Sequence, residues 1–254
     1  MIGVFDSGLG GLCALRALAE RTSADLLYLA DAARAPYGER SAKELCAYTE
    51  AALDFFAREG ADAVLLACGT VSCTVLPRIR HPFCPLFGVL TPAIEEAAHR
   101  THTGRVAVAA TTASVSSGAY GAALRRRGIR PLELPCPLFV PMVEGGLTSP
   151  QLPLVREAVR HYLSSVSAFG ADVLVLGCTH YPLLREAVAE QFPTLTLIDC
   201  AKEAAEALCR DLPPQKGRRR YRFCTTGSAD AFAAKLASVL GYLPGRVEHI
   251  SLSL

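Results

Sequence analysis

An eleven-residue stretch occurs twice in this chain, and it constrains the fold more than any other feature. Gly60-Ala61-Asp62-Ala63-Val64-Leu65-Leu66-Ala67-Cys68-Gly69-Thr70 runs parallel to Gly170-Ala171-Asp172-Val173-Leu174-Val175-Leu176-Gly177-Cys178-Thr179-His180, 110 residues further on and without a gap. Each copy reads as a short apolar strand that delivers a cysteine to its C-terminal end. Residues 2–7 and 106–111 repeat in the same way, each a strand ending in polar residues, 104 positions apart. The chain therefore divides into two related halves, the second starting near residue 100. Further apolar runs at 26–30, 195–198 and 221–224 are separated from these by segments with helical spacing, among them 42–56, 155–169 and 229–240. Strands alternating with helices of this length predict βαβ units and sheets covered on both faces. The fold class expected is α/β: two pseudo-symmetric, doubly wound domains with largely parallel sheets, and an active site in the cleft between them. At 254 residues the chain is long enough for two such units.

Composition narrows the function classes. A net charge of +2 gives no electrostatic reason to expect a nucleic acid or membrane partner. The basic clusters Arg125-Arg126-Arg127 and 216–220 lack interleaved aromatic residues for stacking, and read as solvated surface. The first residues form a strand rather than a signal peptide, and no run approaches the ~20 apolar residues a bilayer requires. A cytoplasmic location is expected. Ten cysteines are spread over a chain able to bury its own core, and Cys13, Cys46 and Cys209 fall in helical patterns, where the thiol packs as a small apolar group. There is no C-x-x-C pair, and Cys68 with Cys73 lacks a second ligand pair, so no metal is expected. Ser7-Gly8-Leu9-Gly10-Gly11 matches neither a P-loop nor a supported dinucleotide fingerprint. The four lysines, Lys43, Lys202, Lys216 and Lys235, lie in polar helix or turn segments away from the strand ends, which argues against pyridoxal phosphate. No cofactor is expected.

The chemistry gathers at the strand ends. Ligands of open parallel sheets bind outside the carboxyl ends of the strands, and that edge receives Asp6-Ser7-Gly8, Asp31, Cys68, Thr111-Thr112 and Cys178. Two thiols from quasi-equivalent strands suit inversion of a carbon bearing hydrogen, where one group removes a proton from one face and the other returns it on the opposite face. A free thiol has a pKa of ~8.5, within reach of general acid–base work when its surroundings tune it. Asp6 reads either as a helix cap or as the acceptor of a substrate ammonium. His180 can orient Cys178 or place positive charge beside it. Ser7, Thr70, Thr111 and Thr179 offer hydroxyls to a carboxylate, or cap turns.

Taken together, Gly3-Val4-Phe5-Asp6-Ser7-Gly8-Leu9-Gly10-Gly11, Pro36-Tyr37-Gly38, Ala67-Cys68, Cys136-Pro137-Leu138-Phe139-Val140 and Leu176-Gly177-Cys178-Thr179-His180-Tyr181-Pro182 resemble the glutamate racemase family of the aspartate/glutamate racemase superfamily. The likeness spans nearly the whole chain in the same order. It implies interconversion of L- and D-glutamate without cofactor or metal, supplying D-glutamate for peptidoglycan, by an enzyme that is usually a homodimer. By matching positions, Cys68 and Cys178 are the acid/base thiols, assisted by Asp6 and His180. Ser7, Tyr37, Gly38, Gly69, Thr70, Thr111 and Thr179 line the substrate site with them. The resemblance further implies a discontinuous first domain, 1–97 plus 208–254, around a second at 98–207. One departure stands out: the family's Cys-Asn-Thr is here Cys68-Gly69-Thr70. Loss of an amide that bonds a charged group costs ~1.5–3 kcal/mol, so Gly69→Asn is expected to raise kcat/KM with glutamate. Alternatives from the same fold are a racemase of aspartate or a hydantoin, a malonate decarboxylase, for which two thiols are one too many, and a weakly active binding or regulatory relative.

Overall fold

A computed structural model describes residues 1–80, 82–213, 219–240 and 245–253; most of the basic cluster at 216–220, with Lys216, lies outside the described residues. The first half runs β1 (Ile2–Asp6), α1 (Gly11–Arg21), β2 (Leu26–Ala30), α2 (Ala42–Arg58), β3 (Ala63–Leu66), α3 (Gly69–Thr74), β4 (Leu86–Gly88) and α4 (Leu90–Arg100). The second runs β5 (Arg105–Ala110), α5 (Thr112–Ser116), α6 (Ala119–Arg125), β6 (Arg130–Pro135), α7 (Phe139–Glu144), α8 (Pro153–Phe169), β7 (Val173–Leu176), α9 (Arg185–Gln191), β8 (Thr196–Asp199) and α10 (Cys200–Asp211). The chain then adds β9 (Tyr221–Thr225), α11 (Ala229–Leu240) and β10 (Val247–His249).

All strand pairs are parallel, in the orders β10-β9-β2-β1-β3-β4 and β6-β5-β7-β8. The four strands β2-β1-β3-β4 correspond one for one to β6-β5-β7-β8. The registers agree as well: Ile2 pairs Ala63 as Val106 pairs Val173. At the strand ends the Ala67 N–H donates to the Phe5 carbonyl at 2.8 Å, and the Gly177 N–H to the Ala109 carbonyl at 2.8 Å. The sequence repeat is thus a repeat of hydrogen-bond geometry, with β9 and β10 extending the first sheet alone.

Three strands escape the sequence pattern. β6 carries Pro131 and Pro135, which usually argue against a strand, but it lies at a sheet edge, where a missing N–H is tolerated. β4 and β10 have three residues each, too few to show a period. The predicted helices are present and their ends have local causes. In α2, Ser41 and Glu44 form a reciprocal capping box. In α8, Pro153 opens the first turn and Gly170 closes it at φ 76°, a conformation that costs glycine nothing. The α8 stripe Val155, Val159, Leu163 and Val166 is fully buried against the second sheet; each such side chain contributes ~1.5–3 kcal/mol of transfer free energy.

A shared helical layer holds the halves together. Leu12 and Leu15 of α1, Ala93 and Ile94 of α4, Leu124 of α6, and Ala201 and Ala204 of α10 join one apolar cluster between the two sheets. The small α10 residues allow close approach to α1 and α4. Among the described residues no helix is long and apolar enough to cross a membrane.

Candidate active site

The carboxyl ends of both sheets open onto one cleft of about 660 Å³. From the first half, Asp6, Ser7, Tyr37, Gly38, Cys68, Gly69 and Thr70 line it; from the second, Thr111, Cys178, Thr179 and His180. Every site residue expected from the sequence therefore reaches the same cavity. Asp31, expected at the same edge, stands behind the wall. It is fully buried and accepts the hydroxyls of Tyr37 (2.5 Å) and Thr226 (2.6 Å), with the Arg34 guanidinium 3.2 Å away. Its work is to hold Tyr37 in place.

Asp6 is 1 % exposed at the end of β1. Its Oδ1 accepts the Gly8 N–H at 2.8 Å and its Oδ2 accepts the Thr179 hydroxyl at 3.3 Å, the latter across the cleft. Burial raises its carboxyl above the usual range, although His180 and backbone N–H groups oppose the rise. Thr70 and Thr111 bring their hydroxyls within 3.2 Å of one another, again across the halves, and Thr111 donates to Ser114 at 2.9 Å.

The thiols have unlike neighbours. Cys68, 5 % exposed, has the Ser7 hydroxyl 3.7 Å from its sulfur. Burial, followed by the charge of Asp6, pushes its thiol up to about 12. Cys178, equally buried, has the His180 Nδ1 at 3.7 Å. The other ring nitrogen of His180 lies 3.2 Å from Glu144 Oε1, and Glu144 Oε2 lies 3.6 Å from the Lys235 ammonium. Burial alone would lower the imidazole, but its bonds to Cys178 and Glu144, and the negative charge around it, raise it to about 10. The bond from His180 holds the Glu144 carboxyl below its usual range, despite partial burial. The imidazole is thus pinned between the Cys178 thiol and the Glu144 carboxylate.

Two sequence expectations change here. Lys235 sits on α11 as expected but reaches the wall carboxylate Glu144, so it is not remote from the site. Gly69 is not simply a position that has lost an amide. A Cβ built there would stand 2.7 Å from the Gly177 carbonyl oxygen, so a side chain at this position requires a local shift of one of the two turns. The gain expected from Gly69→Asn is thus set against a local rearrangement at this contact. Glu144 itself was missed: it ends a six-residue helix and no spacing in the sequence ties it to His180. Among the described residues no group of three or more His, Cys, Asp or Glu could hold a metal. All ten cysteines are free thiols.

Residues 12–208 match the family model described as Asp/Glu/Hydantoin racemase. The chain is 39% identical to the glutamate racemase of Persephonella marina over 94% of this chain and 93% of that one. It is 36% identical to the glutamate racemase of Aquifex aeolicus over 94% of both. Among solved structures, glutamate racemase of Francisella tularensis in complex with D-glutamate superposes with a TM-score of 0.90 at 29% identity, over 99% of this chain and 97% of that one.

Proposed function

The chain belongs to the Asp/Glu/hydantoin racemase family and is an amino-acid racemase, and we propose that it interconverts L- and D-glutamate through the thiols of Cys68 and Cys178. The observation that carries this reading is that two equivalent strand ends present their sulfurs to one buried cleft. Asp6 receives the substrate ammonium, and the hydroxyls of Ser7, Thr70, Thr111 and Thr179 receive the α-carboxylate. Tyr37, Gly38 and Gly69 shape the wall. The imidazole of His180 stands beside Cys178, while burial and Asp6 favour the neutral thiol at Cys68. Cys178 removes the α-proton, the C–H electron pair passes into the substrate carboxylate, and the Cys68 S–H returns a proton to the opposite face. For the other enantiomer the roles exchange. No cofactor or metal takes part in this reading.

The same proposal assigns residues 1–97 with 208–254 to one domain and 98–207 to the other. Each sheet then belongs to one unit, with the crossing points inside α4 and α10 of the shared layer. It places the enzyme in the cytoplasm as a homodimer that supplies D-glutamate for peptidoglycan.

Incubation with L-glutamate in deuterated water, followed by NMR of the α-proton, tests the reaction. Deuterium uptake with inversion is expected for the wild type. Cys68→Ala and Cys178→Ala should each lose inversion by more than ~10³-fold. Near-normal turnover in either variant contradicts the two-thiol scheme, and exchange confined to aspartate contradicts the substrate.

A further inference from the structure

The two cysteine turns are held in place by different means. Cys68 stands directly before helix α3, and its carbonyl accepts the Ser72 N–H at 2.9 Å. The Ser72 hydroxyl adds a bond to the Leu66 carbonyl at 2.8 Å, so the first turn is fixed by its own helix. After Cys178 the chain makes a short 3₁₀ turn at Tyr181–Leu184, and the Tyr181 N–H reaches the Cys178 carbonyl at 2.9 Å. A further hold comes from Tyr120, 57 residues before Gly177, in helix α6. Tyr120 is fully buried, and its hydroxyl donates at 3.0 Å to the Gly177 carbonyl, which belongs to the peptide joining Gly177 to Cys178. Its ring lies against the same residue: a Cβ at Gly177 would stand 3.1 Å from the ring carbon Cζ and 3.2 Å from Cε2. The Gly177 N–H is bonded to the Ala109 carbonyl at 2.8 Å. Gly177 is therefore held at its N–H, its Cα and its carbonyl.

We propose that Tyr120 is a positioning residue whose hydroxyl fixes the peptide before Cys178 and so keeps that thiol aimed into the cleft. The proposal rests on the two-thiol reading above. Tyr120 is not one of the residues lining the cleft, so it acts through Gly177 and Cys178 rather than on the substrate. Phenylalanine would fill the same space in the core. What it would remove is the donor to a buried carbonyl one residue from the reacting sulfur. Displacement of a reacting group by about 1 Å can cost ~10²-fold in rate. A loosened peptide at this point is therefore read out in turnover before it is read out in substrate binding.

The test compares Tyr120→Phe with Thr49→Val, which also deletes a buried hydroxyl bonded to a backbone carbonyl, that of Leu45, but within helix α2. Steady-state kinetics with L-glutamate are measured beside iodoacetamide labelling of the substrate-free enzyme, resolved to Cys68 and Cys178 by peptide mass spectrometry. Tyr120→Phe should lower kcat ~10-fold with KM changed less than ~3-fold. Labelling of Cys178 relative to Cys68 should rise at least ~3-fold, because a looser turn opens the buried sulfur to solvent. Thr49→Val should leave kcat and the labelling ratio within about twofold of wild type. Equal changes in both variants overturn the proposal, since they would mark a general loosening of the fold. It is also overturned if Tyr120→Phe leaves kcat at the wild-type level, whether or not KM rises, or lowers kcat with an unmoved labelling ratio. If Tyr120→Phe does not fold, Gly177→Ala decides by the same measurements, because its methyl presses the ring away from the turn. A fall in kcat with a several-fold rise in the ratio supports the proposal, and wild-type values overturn it. Turnover surviving in Cys178→Ala would remove the two-thiol reading itself. Loss there, with wild-type behaviour in Tyr120→Phe, removes the role of Tyr120 alone.

Discussion

The two cysteine turns have nearly the same backbone and almost opposite surroundings. β3 and β7 pair with β1 and β5 in one register and end in the same strand-closing hydrogen bond. Beyond that point Cys68 has a neutral hydroxyl 3.7 Å away and a buried carboxylate nearby, whereas Cys178 has an imidazole backed by Glu144 and Lys235. Repetition places two strand ends with their cysteines about one cleft, and divergence of their neighbours gives the two thiols different surroundings. The proposed reaction uses both: matched placement serves two enantiomers, and unlike surroundings separate the roles of base and acid.

The comparison breaks most visibly at His180. His180→Asn should lower kcat ~10²-fold by removing the protonated ring that stands beside Cys178. The folded imidazole is raised from 6.5 to about 10, so its contribution to stability is complete below about pH 6.5 and is lost as pH rises through about 10. Denaturant unfolding of wild type and variant should show the wider gap at pH 6 and the narrower at pH 10. An equal gap at both would mean that no proton is held there.

Glu144→Gln tests the same asymmetry more gently. Glutamine keeps a polar contact to His180 and removes the charge, so a loss of about tenfold in kcat/KM is expected. The falling high-pH limb of the rate profile should move to lower pH, because the imidazolium has lost a partner that raises it. An unmoved limb would mean that Glu144 does not set the proton affinity of the imidazole.

The smallest effect on activity belongs to the repeated aspartates at the other end of the strands. Asp62 bonds the Met1 amino group, while its counterpart Asp172 accepts from Thr101, His102 and Thr103. Burial opposes ionisation of Asp172, yet these bonds hold its carboxyl at about 2. Asp172→Asn should cost about 2 kcal/mol of stability, and Asp62→Asn less than about 1, with turnover near wild type in both. The Asp172 contribution is present above about pH 3.8 and lost as pH falls through about 2, which acid titration of the unfolding midpoint would reveal.

The α/β class, the repeat and the thiols were legible because each is written as a local period or a duplicated string. β6 was not, because its prolines oppose a strand everywhere except at the edge where the fold puts it. Glu144 and Lys235 were not, because their partners lie 36 and 91 residues away on other elements, at spacings set by packing alone. The crowding at Gly69 was not legible for a related reason. Sequence shows an absent amide, but the close contact at that position comes from Gly177 in the other half.

The pairing of β9 with β2 bears on how the chain is made. Residues 26–30 bond residues 221–225, so the four-stranded sheet, complete at Asp199, has all its strands before the six-stranded one has its last two. On a ribosome, where chains emerge amino end first, β2 waits as an open edge through the synthesis of the entire second half. A nascent chain halted before residue 221 carries that edge exposed to any passing strand, until the C-terminal segment arrives to cover it.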